Sequence, residues 1–342
     1  MRIGLVGYGA GGSRFHLPFI QAAEQWQVVG VVTRSAARRE LLAREAPGVP
    51  AFDTMDELID AGVDLVVITT PPATRRSLVL RALERGVHVV ADKPFAPDAD
   101  TARELVAAAE RAGKVLTVYQ NRRWDSDFLT LRQVIDSGEL GQLWRANIVL
   151  DQNSVRSVEL DPNDGLLRDL GAHVVDQAIQ ALGPVVRVDA HLDWLGSGEQ
   201  RTDVGFSLGL HHESGTYSSV SGSKLCGREE RTLAVYGQRG SYLSRMADVQ
   251  SDQVKAGLRP ATNPEVWGVP DAADWGELRT PSGSRRVAPV AGNHADFYRN
   301  LHRALAGNGP LPVTLEQAVH TVEVLDAARA SALQGGSILV GR

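Results

Sequence analysis

The first third of the chain alternates five short apolar runs with five segments of helical periodicity, and few folds accommodate that pattern. Ile3–Gly7, Val28–Thr33, Leu65–Thr70, Val87–Ala91 and Val115–Tyr119 are rich in β-branched residues and do not alternate with polar ones. That is the mark of strands buried on both faces. Between them, Phe15–Glu24, Ala36–Glu45, Met55–Ala61, Thr74–Arg85 and Ala99–Ala112 place apolar residues at helical spacing. Strand–helix alternation of this kind predicts a parallel sheet covered by helices on both sides.

After residue 121 the pattern changes. Trp124–Ser137 reads as an amphipathic helix, and Asp169–Leu182 as a second one ended by Gly183-Pro184. Leu143–Gln152, Val185–Leu195, Thr202–His212, Gly215–Lys224 and Arg231–Tyr236 are longer runs with more polar alternation, as in an antiparallel sheet with one wet face. The stretch from Arg259 to Gly283, rich in proline and glycine, reads as a loop, and helices near Asn293–Ala306 and Leu315–Leu333 close the chain. A length of 342 residues exceeds one ordinary core. The expected α/β architecture is a doubly wound domain over residues 1–121 and an α+β domain with a large, mainly antiparallel sheet over residues 122–342.

Gly7, Gly9 and Gly12 form Gly-x-Gly-x-x-Gly where the first strand meets the first helix. The first allows a tight turn, the second lets a pyrophosphate approach the backbone, and the third lets helix and strand pack closely. Free N–H groups at the helix start complete an anion site. The pattern therefore predicts a dinucleotide, with a purely structural turn as the alternative. Its type depends on the end of the second strand, where an NAD site usually offers a carboxylate to the ribose hydroxyls. Here the chain reads Thr33-Arg34-Ser35, followed by Arg38 and Arg39. Hydroxyls and guanidinium groups donate to a 2′-phosphate that a carboxylate would repel. NADP(H) is favoured, with NAD(H) left open; one of Arg38 and Arg39 is expected to lie on a solvated helix face.

Lys93 follows the fourth apolar run in Asp92-Lys93-Pro94, at a strand end where ligands bind in open α/β sheets. Asp169 and His173 are four apart in a predicted helix and would share a face, with Asp176 three residues further on. A carboxylate and an imidazole so placed form an acid–base unit. The alternative is a helix-terminal acid beside a structural histidine. His16, His88, His211, His212 and His294 show no metal-ligand spacing, so no metal is expected.

The formal net charge of −5 gives no general attraction to nucleic acid or anionic membranes, which leaves a small molecule as the expected partner. One cysteine, Cys226, permits no intrachain disulfide and fits a reducing cytosol. No signal-peptide pattern and no membrane-spanning run is visible, so a cytoplasmic location is expected.

With these residues in place, the chain resembles the glucose–fructose oxidoreductase / inositol dehydrogenase (Gfo/Idh/MocA) family over essentially its whole length. The order of motifs carries the likeness: the glycine fingerprint, Thr70-Pro71, Asp92-Lys93-Pro94 at the family's Glu-Lys-Pro position, and Asp169-x-x-x-His173. A finer similarity is to the branch of NADP-dependent scyllo-inositol dehydrogenases. It rests on Gly7-Tyr8-Gly9 with Phe15-His16-x-Pro18, on Asn121-Arg122-Arg123-Trp124-Asp125, on Asp169 through Gln177, and on Val235-Tyr236-Gly237 with Ala256-Gly257 and Trp267-Gly268. The resemblance implies a nicotinamide-dependent dehydrogenase that moves a hydride to or from a polyol carbon. Lys93 and His173 would touch the reacting oxygen, His173 as acid/base, and Asp169 would position the site. Tyr8 would join the glycine turn at the cofactor, and Thr69, Thr70 and Pro71 would line its nicotinamide side. Asn121, Arg122, Asp176 and Gln177 would bind other hydroxyls, while Arg123 and Trp124 would be structural. The family's sheet also implies a homodimer or homotetramer.

Two departures stand out. Asp92 replaces the usual Glu, and Asp151–Asp164 is short and lacks the usual basic and aromatic run, leaving Arg156 and Arg168 as its candidate cations. Rival readings are another sugar or keto substrate, NAD(H) as cofactor, or a non-catalytic dinucleotide sensor.

Overall fold

The computed structural model describes residues 1–157, 165–198 and 201–341, with the side chain of Arg156 left out. The contacts divide these residues into two compact units.

The first unit is built on six parallel strands. They are β1 (Arg2–Val6), β2 (Gln27–Val32), β3 (Ala51–Phe52), β4 (Leu65–Ile68), β5 (His88–Ala91) and β6 (Leu116–Val118). Their order is β3-β2-β1-β4-β5-β6, so the direction of winding reverses between β1 and β4. Helices α1 (Leu17–Gln21), α2 (Ala36–Glu45), α3 (Met55–Asp60), α4 (Pro72–Glu84) and α5 (Ala99–Ala112) supply the crossovers. Every residue of β4 is buried, as a strand covered on both faces requires. The two-residue β3 was not visible in the sequence.

The second unit begins at Arg122. Its elements are α6 (Ser126–Asp136), β7 (Leu143–Asn153), α7 (Ala172–Leu182), β8 (Val185–Leu195), β9 (Thr202–His212), β10 (Tyr217–Ser223), β11 (Leu225–Gly237), β12 (Ser241–Ser244), β13 (Glu277–Thr280), β14 (Gly283–Arg286) and β15 (Ile338–Leu339). The nine strands run β14-β13-β12-β11-β7-β10-β9-β8-β15, and all pairs are antiparallel except β7 with β10. Alternate residues Ala146, Ile148 and Leu150 of β7 face a core that includes Phe128 and Leu131 from α6 and Val174, Val175 and Ala178 from α7. Arg145 and Asn147, pointing the other way, are exposed. One face of the sheet is packed and the other is wet.

Two later stretches, residues 250–267 and 293–319, pack with the first unit rather than the second. They contain most of α8 (Val249–Lys255) and all of α9 (Ala295–Leu305). The change of pattern at residue 121 suggests a single domain from there on, but local periodicity carries no information about which core a late helix joins. Helix α10 (Leu315–Gln334) adds Val324, Leu325 and Ala328 to the second core. Among the described residues, no helix is long and apolar enough to cross a membrane.

Candidate active site

The glycine turn at the end of β1 has the geometry that a nucleotide cradle requires. Gly7 sits at φ 104°, a conformation that side-chain-bearing residues rarely adopt. A Cβ on Gly12 would overlap the Gly7 carbonyl oxygen, so this glycine is what lets the following helical turn lie against the strand. A Cβ on Gly9 would meet only the Arg38 guanidinium, 3.9 Å away, and the backbone there is open to a ligand. The Thr69 hydroxyl donates to the Gly7 carbonyl at 3.0 Å and ties the end of β4 to the turn. Tyr8 behaves differently from expectation. Its ring is buried and its hydroxyl donates to Glu45 at 2.9 Å, with burial and the Glu45 charge raising its pKa. Only its backbone remains for a ligand.

The end of β2 separates the two arginines that follow it. Arg39 donates to the Thr33 carbonyl at 3.0 Å and pairs with Asp53 at 2.7 Å, a structural role. Arg34, Ser35 and Arg38 are exposed, while Thr33 is buried. Ser35 caps α2 by accepting from the Arg38 amide. No carboxylate stands in the Thr33-Arg34-Ser35 run.

Lys93 follows β5, next to a cis peptide bond to Pro94. Asp92 accepts from the Lys93 amide at 2.8 Å through Oδ1, and its Oδ2 faces Nε2 of His16 at 3.4 Å. Burial works against the Asp92 charge, but His16, Arg75 and Lys93 together outweigh it and hold the carboxyl at about 2. Arg75, on α4, is buried and was overlooked in the sequence. It donates to the Thr70 carbonyl at 3.0 Å and to the Pro94 carbonyl, and so fastens the ends of β4 and β5 together. An arginine within a helix gives no sequence signal of such a clamp.

In the second unit, Asp169 lies on a π-helical turn, Leu167–Gly171, that runs into α7. The stretch from Asp169 to His173 thus passes from a π-helical turn into the first residues of α7 rather than along one continuous α-helix. The Asp169 carboxylate accepts from Nζ of Lys224, which also donates to the Ser157 carbonyl at 2.9 Å. Lys224 was not singled out in the sequence. His173 is 7% exposed in the first turn of α7.

Asp176, expected to bind substrate, is instead 2% exposed and bound by Arg123. Arg122 is likewise committed, to Asp125 at 3.0 Å and Asp248 at 3.1 Å. Gln177 donates to the Arg122 carbonyl at 3.1 Å, and its buried Oε1 has no hydrogen-bond partner among the described residues. In the first unit, Asn121 is 8% exposed, with its amide 3.4 Å from Nδ1 of His294. Arg168 pairs with Asp326 at 3.2 Å. The Arg156 side chain and residues 158–164 lie outside the described residues.

A six-stranded, doubly wound sheet with this glycine turn defines a dinucleotide-binding enzyme fold. Residues 1–120 match the oxidoreductase family with an NAD-binding Rossmann fold, and residues 128–243 match the GFO/IDH/MocA C-terminal domain. The chain is 35% identical to the uncharacterized oxidoreductase YdgJ of Escherichia coli, over 97% of this chain and 96% of that one. It is 27% identical to the NADP-dependent scyllo-inositol 2-dehydrogenase IolW of Bacillus subtilis, over 99% and 96% respectively. A crystal structure of an oxidoreductase from Bacillus cereus superimposes with a TM-score of 0.88 at 26% identity, covering 100% of this chain and 99% of that one. The chain belongs to the Gfo/Idh/MocA oxidoreductase family and is an NAD(P)-dependent oxidoreductase.

Proposed function

We propose that this protein is an NADP(H)-preferring dehydrogenase acting on a secondary alcohol or ketone of a polyol, inositol or sugar, with scyllo-inositol and its ketone as first candidates. The observation that carries the cofactor preference is the end of β2, where Arg34, Ser35 and Arg38 are exposed and the run Thr33-Arg34-Ser35 carries no acid. A 2′-phosphate would find donors there, and Asp53, the acid that follows β3, is already paired with Arg39. The likeness to IolW supports both the cofactor and the substrate class.

The open backbone at Gly9 and the close packing at Gly12 fit the pyrophosphate of a bound dinucleotide. When bound, the nicotinamide supplies the carbon that accepts or returns the hydride. Lys93, as an ammonium, neutralises charge developing on the substrate oxygen. His173 removes the hydroxyl proton during oxidation and returns it during reduction. Asp169, anchored by Lys224, positions that segment of the site. Asn121 and Oε1 of Gln177 are the candidate contacts to other hydroxyls; Arg122 and Asp176 act through their ion pairs.

The wet face of the nine-stranded sheet, where Tyr217 and Leu243 stand exposed, is proposed to pair copies of the chain into a dimer or tetramer. Light scattering after size exclusion tests this, and a monomer at micromolar concentration would rule it out. A cytoplasmic setting is proposed from the lone Cys226.

The functional test is a panel of polyols and sugars with NADP⁺ and NAD⁺, followed by reduced-cofactor absorbance. Turnover of an inositol with the higher kcat/KM for NADP⁺ is expected. A preference for NAD⁺, or activity confined to substrates without a secondary hydroxyl, would overturn the assignment.

A further inference from the structure

His16, from the helical turn after the glycine loop, is completely buried although it is polar. Its Nδ1 lies 2.5 Å from the Tyr298 hydroxyl, and its Nε2 faces Asp92 at 3.4 Å. The Tyr119 ring lies tilted over it, with centroids 4.1 Å apart. Burial pushes the Tyr298 phenol well above its ordinary value, reinforced by Tyr119 and Asp92, so Tyr298 keeps its proton. Nδ1 and the Tyr298 hydroxyl share a hydrogen bond, and Nε2 meets the Asp92 carboxylate as an electrostatic contact rather than a hydrogen bond. Asp92 passes the order on, because its second oxygen receives the Lys93 amide.

We propose that His16, oriented by Tyr298, is a positioning residue that acts through Asp92 to keep Lys93 in place for hydride transfer. This rests on the role proposed for Lys93 in the reaction. Asp92 is faced by His16 from the first helical turn, by Arg75 from α4, and by Lys93 beside it; His16 is faced by Tyr119 after β6 and Tyr298 from α9. Of the three groups facing Asp92, His16 comes within 3.4 Å of its Oδ2 and is itself completely buried, so its effect on the carboxylate is little screened by water. Removing it leaves the Asp92 desolvation less fully offset, so the carboxyl protonates at higher pH and releases the Lys93 turn as pH falls.

The test compares His16→Phe, His16→Gln and Tyr298→Phe with the wild type. In cofactor-free protein, a carbon-13 NMR titration should place the wild-type Asp92 carboxyl at about 2. His16→Phe should raise it, and His16→Gln, whose amide can donate, should return it toward the wild-type value. In turnover, His16→Phe should lower kcat about tenfold with substrate KM and cofactor affinity little changed, since small displacements of a catalytic group are costly. The acid limb of its kcat profile should move up in pH. That movement should vanish in the double variant with Asp92→Asn, which has no carboxyl to titrate. If His16→Phe does not fold, Tyr298→Phe removes a single hydroxyl and should produce the same changes in smaller measure. An unmoved Asp92 titration and acid limb, in a folded variant, would overturn the proposal. If Lys93→Ala turns over normally, the role of Lys93 itself has failed, which is a separate outcome.

Discussion

Arg123 holds Asp176 through two parallel hydrogen bonds, 2.8 Å from Nε and 2.6 Å from Nη2, with both side chains almost fully buried. The pair joins the turn before α6 to the middle of α7, the helix that carries His173. Breaking a buried pair strands a charge and costs about 3–5 kcal/mol, whereas replacing both partners with apolar residues can be nearly neutral. Arg123→Met or Asp176→Leu alone should therefore lower unfolding stability by several kcal/mol in urea titrations. The double variant should recover most of that loss.

Asp127 offers a test in pH. Burial, followed by the neighbouring Asp125 charge, raises its carboxyl to about 7. The folded state then keeps a proton that the unfolded chain loses near pH 3.8. Stability from this residue is complete below that value and declines as pH rises toward about 7. Asp127→Asn should remove the decline, raising Tm at pH 8 relative to the wild type while changing it little at pH 4. Equal Tm shifts at both would contradict a titration of this buried carboxyl as the cause.

Arg75 should matter beyond its charge. It spans the carbonyls of Thr70 and Pro94, and removing it leaves both acceptors without that donor. Arg75→Leu should cost about 1–3 kcal/mol in stability and reduce turnover. Arg75→Lys should rescue little, because an ammonium lacks the planar fork that reaches two acceptors at once. Full activity in the lysine variant would show that charge alone suffices.

The sequence made the first unit legible because its strands are apolar on both sides and its helices periodic. The glycine turn could be read for the same reason: each position answers a steric demand. What stayed hidden has physical causes. β3 is two residues long, and β14 is exposed throughout, so neither carries a hydrophobic pattern. The return of residues 250–267 and 293–319 to the first unit is a tertiary fact. Asp176 showed the composition of a ligand-binding residue, yet its partner lies 53 positions away and no local spacing announces it. His16 was visible only as part of a motif; its link to Tyr298 spans 282 positions.

Cofactor choice is open to direct substitution. Arg34→Ala and Arg38→Ala should each weaken NADPH binding about tenfold or more, as expected for losing a hydrogen bond to a charged phosphate. NADH binding should change little. Parallel loss of both cofactors would place the arginines elsewhere than at the 2′-phosphate.

The roles of Lys93 and His173 are tested most directly by single-turnover hydride transfer with saturating NADP⁺ and scyllo-inositol. Lys93→Ala and His173→Ala should each slow the transfer about 100-fold or more, with the cofactor still bound. Transfer at the wild-type rate in either variant would contradict the mechanism.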